Sequence, residues 1–83
     1  GRAVTATKLH QVERAEAVLR TQGFRQVRVR HLGRHARIEV GAEEVRRLDE
    51  RVLRRRIAEA LGRIGFSSIE VDPAGYRPGA ANL

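Results

Sequence analysis

The chain has 83 residues, enough for one small domain, and such domains bury only about 60 to 65% of their unfolded surface, so little core is left for an internal active site. It contains no cysteine, which excludes disulfides, thiolate metal sites and cysteine nucleophiles and fits a cytoplasmic origin. Lys plus Arg is 17 against 10 for Asp plus Glu, a formal charge of +7 that favours anionic partners: nucleic acid, nucleotides, phosphorylated metabolites or an acidic protein surface.

Thr5 is placed to cap a helix from Ala6 to Gln22, with Leu9, Val12, Ala15/Glu16 and Leu19 in one buried stripe and Gly23 as its stop. Phe24 then enters the core. Residues alternate from Arg25 to His31 and again from His35 to Val40, and Leu32-Gly33-Arg34 reads as the tight reversal of a hairpin. With Gly33-Arg34 as a two-residue loop, Val29 faces Ile38 and Val27 faces Val40 on the inner side, while Arg28 faces Glu39 and Arg30 faces Arg37 outside. Ala42 to Leu48 reads as a short helix. Asp49 is the expected cap of a second long helix, Glu50 to Ile64, with the stripe Leu53, Ile57, Ala60/Leu61 and Ile64. Gly65-Phe66 repeats the earlier Gly-Phe stop, and Ser67 to Asp72 is a third strand. Pro73, Gly75, Pro78 and Gly79 make the remainder an irregular tail.

The expected fold class is therefore α+β, in the order α-β-β-α-α-β, with a three-stranded antiparallel sheet of order 2-1-3 and both long helices on one face. Residues 1–72 form a single domain and 73–83 its tail. No apolar run approaches the roughly 20 residues of a membrane span, and no signal-peptide pattern opens the chain.

Strand parity leaves Arg28, Arg30, Arg37, Glu39, Glu70 and Asp72 on the uncovered sheet face. Arg30 opposite Arg37 is a like-charge pair costing up to about 1 kcal/mol, so an anion is expected beside it, with Glu39 supplying part of that charge. A solvated face on which Arg28 pairs Glu39 and Arg37 pairs Glu70 is the simpler alternative. Arg46, Arg47, Arg51, Arg54, Arg55 and Arg56 form a second basic zone. It reads either as a solvated helix surface or as a nucleic-acid contact. Against the latter, Phe24 and Phe66 belong to the core and no KH-type Gly-x-x-Gly loop is present. His10, His31 and His35 do not converge, so no metal site is expected, and no Ser-His-acid arrangement or other catalytic set is legible. Gly75-Tyr76-Arg77-Pro78-Gly79 reads equally as a plain turn or as a loop built to present Arg77.

Lys8-Leu9, Val12-Glu13, Ala15-Glu16, the run Gly23-Phe24-Arg25-Gln26-Val27-Arg28-Val29-Arg30, Ala36-Arg37-Ile38-Glu39-Val40, Gly65-Phe66 and Gly75-Tyr76-Arg77 together resemble the C-terminal domain of the LarE-type ATP-dependent sacrificial sulfur transferases, across essentially the whole chain. The resemblance implies an N-terminal PP-loop ATP pyrophosphatase domain using ATP and Mg, which adenylates a carboxylate of a pyridinium dicarboxylate mononucleotide. A cysteine near the domain junction then gives up its sulfur, and the thiocarboxylate serves nickel-pincer cofactor biosynthesis. It implies further that Arg28, Arg30, Arg37 and Glu39 form a substrate-phosphate patch, with Arg30 foremost, that Arg77 is presented toward the active centre, and that the parent protein is a homo-oligomer. On this view the chain is an excised domain, without cofactor or turnover of its own. Arg34 replaces the family's usual acidic or amide residue, and Pro78 and Ala80 replace two tail hydroxyls, which leaves open a related PP-loop protein acting on another nucleotide-like acid. A small nucleic-acid-binding module and a subunit-docking domain are the readings from other classes.

Overall fold

The computed structural model of the protein describes residues 5–76. Helix α1 (Ala6–Thr21) starts at Thr5, whose Oγ1 accepts the Lys8 N–H at 3.1 Å. Helix α2 (Arg51–Ile64) is capped by Glu50 and not by the expected Asp49, which ends a 3₁₀ helix over Ala42–Asp49. The Glu50 carboxylate accepts from Val52 N at 3.0 Å and Leu53 N at 3.1 Å. Those two N–H groups, with a smaller contribution from Arg56, hold it below the usual carboxylate range against the opposing effect of burial.

Both long helices stop in the same way. Gly23 and Gly65 take φ of 96° and 131°, and the N–H of the following Phe24 or Phe66 donates back to Leu19 or Leu61, at 3.2 and 3.1 Å. Each phenylalanine is thereby folded under its own helix, and Leu19, Leu61 and both rings are buried. This repeated closure delivers strands β1 (Val27–Leu32) and β3 (Ser68–Val71) from the helix ends.

Strand β2 (His35–Val40) follows β1 through a Gly33-Arg34 turn with Gly33 at φ 65°, and the hairpin has the register read from the sequence: Val29 opposite Ile38, Arg28 opposite Glu39, Arg30 opposite Arg37. The sheet order differs from expectation. It is β1-β2-β3, with β2 central, antiparallel to β1 and parallel to β3, so neither order 2-1-3 nor an all-antiparallel sheet is formed. Two causes are visible. The outer side of β1 is partly engaged: Glu16 of α1 accepts the Val29 N–H at 3.0 Å, and Glu44 of the 3₁₀ helix accepts those of Arg25 and Gln26 just before the strand. In addition, β2 is the strand built for the middle, because Ala36, Ile38 and Val40 are all fully buried, whereas β1 alternates buried valines with exposed arginines.

After Val71 the chain does not simply trail away. Asp72 Oδ1 accepts the Ala74 N–H at 2.9 Å to turn the chain, and Tyr76 donates to the Val40 carbonyl, forming a parallel bridge with Gly41. Gly75 sits between at φ 80°, where an added Cβ would lie 2.7 Å from the Val40 oxygen and 2.9 Å from Ala42 Cα. Only glycine permits that approach. Among the described residues, no helix is long and apolar enough to cross a membrane.

One polar group links three elements beneath the sheet. Gln11 of α1 donates to the Ile64 carbonyl at 3.2 Å, and its Oε1 accepts from His31 Nε2 at 2.8 Å. That fixes the proton of neutral His31 on Nε2, with Nδ1 buried and without a partner among the described residues. Burial, and secondarily Lys8, lowers the His31 pKa from its ordinary 6.5. Because the unfolded imidazole takes its proton first, the stability due to neutral His31 is complete above about pH 6.5 and declines as pH falls toward the folded value. Thermal melts from pH 7.5 to 5 should therefore show a decline that is shallower in His31→Gln, the difference not exceeding about 1.4 kcal/mol per pH unit. Parallel pH profiles for the two proteins would remove His31 from this account.

Candidate anion-binding face

The helices cover one side of the sheet, and parity places Arg28, Arg30, His35, Arg37, Glu39, Ser68, Glu70 and Asp72 on the other. Arg37 stands at the centre of this face on the central strand. Its guanidinium reaches Glu70 and Asp72 at 3.2 Å each, and Glu39 at 3.8 Å. Glu39, only 8% exposed, also meets Arg30 at 3.2 Å. The like charges of Arg30 and Arg37 are thus separated by a carboxylate of the protein itself.

This arrangement sorts the arginines that parity could only group. Arg37 is engaged by three carboxylates. Arg30 holds one, and its side chain remains 49% exposed. Arg28 pairs no carboxylate among the described residues; its guanidinium lies 5.9 Å from the centre of the Tyr76 ring. The expected Arg28–Glu39 pair is replaced by the diagonal Arg30–Glu39 pair, since diagonal neighbours on a sheet lie within reach of long side chains. The expected Arg37–Glu70 pair is present. Glu39 acts as a counter-ion of the two arginines and not as a donor to an anion, because a carboxylate only accepts. Arg77 lies outside the described residues, though its neighbour Tyr76 reaches the face.

Two features were missed from the sequence. Tyr76 joins the site through the bridge to Gly41, a long-range contact that leaves no local pattern. Ser68, His35 and Glu70 form a line in which the imidazole contacts Ser68 Oγ through Nδ1 at 2.6 Å and Glu70 Oε1 through Nε2 at 2.8 Å, an arrangement the sequence alone does not show. The register pairing His35 with Ser68 creates it. The Glu70 end is also tied to Arg37, so the line extends the charge cluster. His31 lies on the inner face and His35 on the outer.

The second basic zone lies on the helical side. Arg46, Arg51, Arg54, Arg55 and Arg56 are exposed. Arg47 is also exposed, but its guanidinium stacks 4.2 Å from the Phe24 ring centre and donates to the Gln22 carbonyl at 2.7 Å, pinning the 3₁₀ helix to the end of α1.

The sequence is 35% identical over 82 residues, 99% of this chain, to a protein of Synechocystis sp. (strain ATCC 27184 / PCC 6803 / Kazusa) described as uncharacterized protein slr1717, and it spans 31% of that protein's length. No protein-family model matches the chain.

Proposed function

We propose that this chain is the substrate-binding and assembly domain of an ATP-dependent sulfur transferase, one that makes a thiocarboxylate on a pyridinium mononucleotide for nickel-pincer cofactor biosynthesis. The observation that carries the reading is the division of labour on the open face: Arg37 is consumed by carboxylates, while on the edge strand Arg30 remains half exposed with one carboxylate and Arg28 lies over the Tyr76 ring. A guanidinium fork suits phosphate, and a ring next to it suits a flat heterocycle. The motif resemblance supplies the chemical identity of that ligand. Similarity to about a third of a longer protein is compatible with a domain that works beside others. ATP and Mg belong to the PP-loop domain in this scheme, the sulfur-donating cysteine lies in the parent protein, and the uncovered sheet face also serves for contact with that domain or a neighbouring subunit.

Calorimetric titration with nicotinic acid mononucleotide tests the reading. Weak, saturable binding that Arg30→Ala removes with little loss of fold is expected, as is loss of sulfur transfer when the same change is made in the complete protein. The 83 residues alone should show no turnover. A nucleic-acid module is the second reading, favoured by the exposed arginines of α2. It requires oligonucleotide binding that falls by several log units between low and physiological salt and depends on Arg46 to Arg56, with no mononucleotide site at Arg30.

A further inference from the structure

Helices α1 and α2 pack side by side, and on their outward side a groove of about 410 Å3 opens between them. Ala17 and the half-buried Val18 and Ala60 give it an apolar floor, Thr21 and Gln22 close it at the end of α1, and the exposed Arg14, Arg56 and Arg63 line its sides. The groove exists because alanines stand where larger side chains of the two helices would otherwise meet. None of the three arginines forms an ion pair among the described residues, although Glu59 lies one helical turn from both Arg56 and Arg63. An apolar trough therefore carries three exposed cations that form no ion pair among the described residues, although Arg56 lies near enough to Glu50 to lower its pKa, on the opposite layer from the candidate anion-binding face.

We propose that this groove receives an amphipathic α-helix of a partner protein, with an apolar stripe set on Ala17, Val18 and Ala60 and flanking Asp or Glu side chains paired to Arg14, Arg56 and Arg63. Arg56 and Arg63 are two turns apart, a rise of about 10 Å, which matches carboxylates seven residues apart on a helix lying along α2. The apolar lining with charged margins is the form that accepts a helix by its hydrophobic face. A second copy of this chain is a poor occupant, because a molecule of charge +7 brings like charge to the groove. A nucleic-acid strand would satisfy the arginines but has no apolar ridge for the lining, which contains no aromatic side chain on which a base could stack.

The probe is a 21-residue synthetic helix with leucine at heptad positions a and d and glutamate at e and g, whose charge repulsion disfavours self-pairing. Binding is followed by fluorescence anisotropy, and the contact surface by amide chemical shifts of the full chain. The expected result is saturable one-to-one binding with shifts centred on Val18 and Ala60. Affinity should fall at least tenfold in Arg56→Glu/Arg63→Glu and stay unchanged in Arg30→Ala, so failure here is separable from failure of the anion-binding reading. A peptide carrying lysine in place of glutamate should bind the doubly substituted chain better than the original. Equal binding of a peptide with the same composition but no apolar stripe would overturn the proposal. So would shifts at these residues caused by a single-stranded oligonucleotide but not by the helix, or self-association of the chain through the groove. Circular dichroism of the variant confirms that it is folded, and a second variant, Ala60→Arg, fills the groove without removing a cation and should also abolish binding.

Discussion

Arg37→Ala is expected to destabilise the domain by about 2 to 3 kcal/mol, read from urea unfolding. The change removes the cation that Glu39, Glu70 and Asp72 share on the central strand. Breaking a buried pair typically costs about 3 to 5 kcal/mol, because the partner charge is left behind in a poorly solvated place. Here the Arg37 side chain is 37% exposed, and Glu39 keeps Arg30 while Glu70 keeps His35, so part of that cost is screened or shared. Arg28→Ala, which removes only an exposed cation–ring contact, should cost less than about 1 kcal/mol. Added salt should recover part of the Arg37→Ala loss by screening the remaining carboxylates. If Arg37→Ala proves as mild as Arg28→Ala, the carboxylate cluster does not hold the fold and Arg37 joins Arg28 and Arg30 among the proposed anion ligands.

The same contrast shows what the sequence discloses. Period-two alternation in Val27 to Arg30 and Ala36 to Val40 was enough to place the arginines on one face and to fix the hairpin register, because a one-residue slip would have turned valines to solvent. The Gly-Phe repeat disclosed two similar helix ends, since positive φ and a ring returning beneath the helix are local demands. Strand order was not legible. It depends on Glu16 and Glu44 reaching backbone N–H groups of β1 and the residues just before it, 13 to 19 residues away, contacts that no local pattern announces. Asp49 is by type the better cap than Glu50, and it fails because it is the last residue of the preceding 3₁₀ helix. Nor does parity say which arginine is free: Arg30 and Arg37 share a face and a pair of strands, and only the third strand and the turn after it bring Glu70 and Asp72 to Arg37.

Arg30→Ala and Glu39→Gln are expected to move the affinity for nicotinic acid mononucleotide in opposite directions. A charge-assisted hydrogen bond is worth about 1.5 to 3 kcal/mol, so loss of Arg30 should weaken binding by about 10-fold or more. Glu39 is the carboxylate now nearest that guanidinium, at 3.2 Å, and a phosphate arriving at Arg30 must share or displace it and suffers its repulsion. Glu39→Gln keeps the size of the side chain while removing the competing charge, and binding should tighten by about 10-fold, or 1.4 kcal/mol. Stability should move the other way, because Arg30 and Arg37 then face each other without the carboxylate that separates them. The combination of tighter binding with a lower unfolding midpoint distinguishes a competing counter-ion from a ligand-binding residue, whose removal weakens binding whatever it does to the fold. Weaker binding in Glu39→Gln would mean that Glu39 contacts the ligand directly or that Arg30 needs it for orientation, and the division of roles on this face would have to be redrawn.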